Sequence, residues 1–74
     1  MHPVLMHELQ SKRIRRMVQA LQHIANGKSH EEAAALIGIQ DRTLTDWLHE
    51  LRGLMEVHTT YHLIAKAMRK KLIR

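Results

Sequence analysis

The sequence predicts an all-α, four-helix domain of the helix-turn-helix type. Apolar residues recur with a helical period along most of the chain, and no alternating β-branched run indicates a strand. Glycines stand at two points where the periodic segments break. The segments form a long helix, a short helix, a tight turn and a third helix, which is the order of a helix-turn-helix.

The first helix is predicted at about residues 8–26. Its apolar stripe comprises Ile14, Met17, Val18, Leu21, Ile24 and Ala25. The opposite face carries the basic residues Lys12, Arg13, Arg15 and Arg16, which fit either a phosphate-binding patch or the solvated side of an amphipathic helix. Gly27 ends the helix, because glycine tolerates the left-handed conformation found at helix C-termini.

The second helix is predicted at residues 30–37. Ser29 followed three residues later by Glu32 is a capping-box pattern, in which each side chain accepts a hydrogen bond from a free backbone N–H group. The alanines at 33–35 allow another helix to approach closely, and Gly38 ends the segment.

The third and fourth helices are predicted at about 41–54 and 60–72. Helix 3 has apolar residues at helical spacing, namely Leu44, Trp47, Leu48 and Leu51. We expect Trp47 to pack in the core. The apolar side of helix 4 comprises Leu63, Ile64, Ala67, Met68 and Leu72.

The length and charge favour a single small domain, residues 1–74, that binds a polyanion. The chain has 74 residues, no cysteine, a formal net charge of +5 and a pI near 10.3. The charge is uneven, since residues 30–57 contain six acidic and two basic residues. No apolar run approaches the length of about 20 residues that a membrane span needs, and no signal peptide is evident, so we expect a soluble cytoplasmic protein with no membrane association.

The sequence offers no catalytic or cofactor signature, and we expect neither enzymatic activity nor a bound cofactor. It contains no nucleophile elbow, phosphate-binding glycine loop or thiolate ligand. His58 and His62 have the spacing of one helical turn, but no third ligand joins them, so no metal site is predicted.

Four stretches resemble the LuxR/GerE family of DNA-binding domains. The segment from Gly27 to Ala34 is similar to the family pattern G-x-S/T-x-x-E-I-A, and Ile37 to Leu44 is similar to L-G-I-S-x-x-T-V. Leu51 to Leu54 and Thr60 to Ile73 match the later part of the family pattern. The resemblance implies a homodimeric transcriptional regulator whose third helix enters the DNA major groove and whose fourth helix forms the dimer contact. Because the family domain usually follows a sensing domain, the chain resembles either a stand-alone member or a fragment.

The resemblance also implies the site residues. Those expected to contact double-stranded DNA are Lys28, Arg42, Thr43, Thr45, Asp46, His49 and Arg52. Arg13 and Arg16 are further candidates for phosphate contacts. Those expected at the dimer contact are Leu63, Ala67 and Met68.

Helix 3 departs from the family pattern. Gln40 replaces the usual Ser or Thr cap, so Asp41 is expected to cap the helix one residue later. Thr45 stands where a phosphate-contacting lysine is common. Asp46 and Glu50 would repel phosphate, although an aspartate can also accept a hydrogen bond from a cytosine amino group.

Two other functions stay open at this stage. One is a protein-interaction module on the same fold that binds another regulator or RNA polymerase as an adaptor or anti-activator, which the acidic third helix favours. The other is a nonspecific nucleic-acid binder that acts through its basic termini.

Overall fold

The computed structural model describes the backbone of residues 3–74 and the side-chain surroundings of residues 12–74. The described residues form four helices: α1 (Pro3–Ala25), α2 (His30–Ile37), α3 (Asp41–Met55) and α4 (Thr60–Arg69). No strand occurs among the described residues. The predicted all-α, four-helix class is confirmed.

Four helix boundaries differ from those expected from the sequence, the smallest change being the end of α1 at Ala25 rather than 26. α1 begins at Pro3 rather than near residue 8, and proline is well suited to the first turn of a helix. α3 extends to Met55, one residue further than expected. α4 ends at Arg69 rather than 72, because Lys71 adopts a left-handed φ of 60° and the Leu72 N–H group bonds to the Ala67 carbonyl oxygen.

The buried core lies where α1, α2, α3 and α4 meet. Alanines allow α1 and α2 to approach closely, since Ala20, Ala33 and Ala34 are buried. The largest fully buried side chains are Met17, Leu21, Leu44 and Leu63. α3 therefore packs against the other helices along one side, which leaves its opposite side facing solvent.

The C-terminal tail folds back onto α1. Ile73 is buried in the core. The Gln22 side chain on α1 makes two hydrogen bonds with the backbone of Arg74. Its amide group donates to the Arg74 carbonyl oxygen at 2.8 Å, and its Oε1 accepts from the Arg74 N–H group at 2.7 Å. The tail thus joins the subunit core instead of extending α4.

Two residues expected at a dimer contact belong to this core instead. Leu63 and Ala67 are each only 1% exposed within a single chain. A side chain without accessible surface in the subunit has none to bury against a partner. Met68 is the member of the predicted set that stays accessible, with 43% of its surface exposed.

Candidate nucleic-acid interface

α3 has one buried side and one polar, solvent-facing side. Leu44, Leu48 and Leu51 are buried, as the helical period requires of a core-facing stripe. The outer face of α3 consists of Arg42, Thr45, Asp46 and His49, and all four are exposed. The side chains predicted to face a groove therefore share one accessible surface.

The short helix α2, which packs against α3, has a well-defined start and end. Both hydrogen bonds of the predicted capping box are present: the Ser29 hydroxyl accepts from the Glu32 N–H at 3.1 Å, and Glu32 Oε1 accepts from the Ser29 N–H at 2.9 Å. The Ser29 N–H group, which donates to the Glu32 carboxylate, lowers the pKa of Glu32, and the Ser29 side chain adds to this effect. Gly38, at a φ of 80°, ends α2 and opens the turn to α3.

The start of α3 has no side-chain cap. Gln40 occupies the N-cap position, but its side chain makes no capping hydrogen bond. Asp41 is the first helical residue, so the expectation that Asp41 caps the helix is wrong. Arg42 consequently lies in the first turn, where the helix dipole disfavours a positive charge.

An ion pair joins α1 to the flank of α3. Arg13 donates two hydrogen bonds to the Glu50 carboxylate, at 2.5 and 2.7 Å, and both side chains are partly exposed. This contact lowers the pKa of Glu50 and raises that of Arg13. One of the two acids expected to repel phosphate is therefore locally neutralised, and Arg13 is engaged within the protein.

Arg16 links three helices, a role that the sequence did not indicate. Its guanidinium donates to the Ile37 carbonyl oxygen at the end of α2, at 3.0 Å. It also lies 5.6 Å from the centre of the half-buried Trp47 ring on α3, within range of a cation–π contact. Trp47 itself packs against the core. Arg16 thus stabilises the turn that positions α3.

The two predicted threonines differ in their surroundings. Thr43 is half-buried. The exposed Thr45 hydroxyl donates to the Asp41 carbonyl oxygen at 3.2 Å, and its oxygen lies 3.4 Å from Nε2 of His30 on α2. The hydroxyl of Thr45 is therefore partly engaged within the motif.

Two other predicted basic contacts, Lys28 and Arg52, lie at opposite ends of the motif. Lys28 is exposed in the loop before α2. Arg52 is half-buried near the end of α3, and its guanidinium lies 3.3 Å from the Thr60 hydroxyl, to which it donates. Arg52 thus helps to join α3 to α4, as does Lys66, which donates to the Met55 carbonyl oxygen at 2.6 Å.

The described part of the chain offers neither a metal-binding cluster nor a membrane-spanning helix. Residues there form no group of three or more histidine or acidic side chains placed to hold a metal ion. None of the helices, as far as they are described, combines the length and apolar character needed to cross a bilayer.

The family comparison matches a homeodomain-like domain to residues 10–54. The matched segment covers more than half of the chain, from within α1 to the last residue but one of α3. It includes the short helix, the turn and the exposed outer face of α3.

The narrower resemblance to LuxR/GerE domains is not tested by this match and stays a prediction. Searches of curated proteins and of solved structures found no match. The homeodomain-like helix-turn-helix is a DNA-binding fold that is not typically enzymatic. On the family match and the arrangement of α2 and α3, the chain belongs to the homeodomain-like helix-turn-helix family.

Proposed function

We propose that this protein is a sequence-specific transcriptional regulator that inserts the outer face of α3 into the DNA major groove. The observation that carries the proposal is the cluster of exposed polar side chains on this face, opposite a buried leucine stripe. A helix is about 10–12 Å across with its side chains, and the major groove is about 12 Å wide. A helix held along one side can therefore present the other to base edges.

The structure removes part of the objection that the acidic residues of α3 raise against DNA binding. The Glu50 carboxylate is paired with Arg13, so it adds little net negative charge to the flank of the helix. Arg42 is exposed in a first turn that disfavours cations. A positive charge at this position is therefore better explained by a contact with an anionic partner than by helix stability.

Phosphate contacts are assigned to basic residues outside the outer face of α3. Lys28 is exposed at the start of α2, and Lys12 and Arg15 are exposed on α1. Most hydrogen bonds in protein–DNA complexes go to the backbone, which sets the position of the protein without specifying sequence. We assign Arg42 and its neighbours on the outer face of α3 to base contacts.

The test is selection from a randomised duplex pool, followed by titration of the selected duplex at about 50 mM salt, where phosphate contacts are strong. Arg42→Ala should weaken binding by about 5- to 150-fold, the range for loss of one specific base contact. Arg74→Ala removes the same charge from the exposed C-terminal residue, which bonds to Gln22 through its backbone, and serves as the matched control. Equal losses in both variants, or no selected sequence, would contradict sequence-specific binding.

We further infer that the protein acts as a homodimer through the solvent-facing side of α4 and Leu72 in the tail that follows it. Tyr61, Met68 and Leu72 are apolar or aromatic side chains with exposed fractions of 88%, 43% and 49%. A second copy would remove this surface from water and would place two α3 helices on half-sites about one helical turn apart.

The dimer is tested by measuring the molar mass in solution. Met68→Asp should yield a folded monomer, because Met68 is accessible. Leu63→Asp should instead unfold the chain, because it would bury a charge in the core. A wild-type protein that stays monomeric at high concentration would overturn the dimer.

The alternative function is a protein-interaction module that binds another regulator or RNA polymerase. The observation that favours it is an apolar pair beside the Arg13–Glu50 ion pair, since Ile14 on α1 and Leu54 on α3 are both substantially exposed. Absence of duplex binding at low salt, together with a folded protein, would select this alternative.

A further inference from the structure

Asp46 is an acidic residue on the outer face of α3, the face proposed to enter the groove. It lies one helical turn after Arg42 and three residues before His49, and all three are exposed. The ion pair in the described part of the chain joins Arg13 to Glu50, and Asp46 forms no ion pair with Arg42. The Asp46 carboxylate thus faces solvent with no ion-pair partner among the described residues.

A carboxylate in the major groove is tolerated only where it receives a hydrogen bond. Duplex DNA carries about one negative charge per 1.7 Å of its axis, so an anion that faces the backbone is repelled. Phosphates offer no donor. The donors on the major-groove edges are the amino groups of cytosine and adenine.

The arrangement of acceptors around these amino groups separates the two bases. The adenine amino group lies between two acceptors, adenine N7 and thymine O4, which would both repel a carboxylate. The cytosine amino group has an acceptor on one side only, guanine O6. An exposed aspartate on a groove-facing helix therefore fits cytosine better than adenine.

We propose that Asp46 specifies a C·G base pair in the DNA site, and that Arg42 contacts a guanine within about two base-pair steps of it. Four residues of helix span about 6 Å, whereas successive base pairs are about 3.4 Å apart. Arginine pairs with guanine O6 and N7 through two hydrogen bonds. This inference rests on the proposed function and names the base pairs that the same face reads.

The experiment compares the duplexes that three proteins select from one randomised pool. They are the wild type, Asp46→Asn and the control Glu31→Gln, which removes an exposed acid from α2. Asparagine pairs with adenine through two hydrogen bonds, so Asp46→Asn should replace the C·G pair with an A·T pair at one position and leave the other positions unchanged. The control should select the wild-type sequence.

Asp46→Ala is a second variant that tests the same base contact if Asp46→Asn alters the fold. Asp46→Ala should lose about tenfold discrimination at that one pair while it binds random duplexes more tightly, because a repelled charge is gone. Unchanged selection by both Asp46 variants would overturn the inference and leave DNA binding intact. Failure of the wild type to select any sequence would overturn the proposed function, and this inference with it.

Discussion

α2 and α3 are consecutive helices of one motif, but they begin in different ways. α2 starts with a complete capping box between Ser29 and Glu32. α3 starts at Gln40, whose side chain makes no capping hydrogen bond, and it carries Arg42 in its first turn. α2 therefore has strong local stabilisation at its N-terminus, and α3 does not.

The difference indicates how the two helices divide their roles. α2 is only eight residues long, and a helix of that length is marginal by itself, so local capping matters to it. α3 is held mainly by its buried stripe, with Leu44 fully buried in its first turn. Its polar first turn is consequently available to a ligand.

The largest expected effect comes from removing the buried side chain that holds the start of α3. Leu44→Ala should lower the free energy of unfolding by about 2–5 kcal/mol, because it leaves a cavity in the core. Urea denaturation measures this change. The matched control is Leu36→Ala on α2, where the leucine is 56% exposed and the expected change is within about 0.5 kcal/mol. Similar losses in both variants would show that α3 is not held by its buried side.

Loss of the α2 cap should be the next largest effect. Ser29→Ala should cost about 1 kcal/mol of stability, because it removes the acceptor for the Glu32 N–H group. Gln40→Ala is the matched variant at the start of α3, and it should change stability little, because the Gln40 side chain makes no capping bond. Equal losses of stability in the two variants would contradict the difference in capping between the starts of α2 and α3.

A cap introduced into α3 should sharpen the same contrast. Gln40→Ser should raise the free energy of unfolding by up to about 1 kcal/mol, since serine can accept from the free N–H groups of the first turn. The shift of the urea midpoint measures the gain. No gain, with α3 starting at the same residue, would mean that water already satisfies these groups.

A smaller effect is expected from pH. The pKa of Glu32 is lowered in the folded chain by its hydrogen bonds with Ser29, and the pKa of Glu50 is lowered by Arg13. A group with a lowered folded pKa stabilises the protein above its unfolded value, near 4.5, and this contribution is lost as the pH falls through the folded pKa.

Thermal unfolding between about pH 6 and pH 3 measures this dependence on carboxylate protonation. Glu32→Gln should reduce the loss of stability on acidification relative to the wild type. Leu36→Ala, which leaves both carboxylates and their hydrogen-bond partners in place, should keep the wild-type slope. An unchanged slope in Glu32→Gln would show that the capping carboxylate does not contribute.

Local signals in the sequence predicted much of this fold. Ser29 and Glu32 marked the start of α2, and Gly38 marked its end, because caps and glycines act within a few residues. The ends of α3 and α4 gave no such signal. Glu56 and Lys71, which adopt left-handed φ values of 58° and 60°, are residue types that rarely do so.

Contacts between distant parts of the chain could not be predicted from the sequence. The Arg13–Glu50 pair joins residues 37 positions apart, and Gln22 and Arg74 are 52 apart. No pattern in one sequence identifies such partners. The polar face of α3 could be predicted because it is the complement of a periodic leucine stripe, whereas the neutralisation of Glu50 depends on how α1 packs.

The most direct test of the central claim is an NMR titration of the 15N-labelled protein with the selected DNA duplex. If the outer face of α3 enters the groove, the largest shift changes will fall on the amides of Arg42, Thr45, Asp46 and His49, with smaller changes near Lys28. Changes confined to α4 and the C-terminal tail, with the α3 amides unmoved, would contradict the claim.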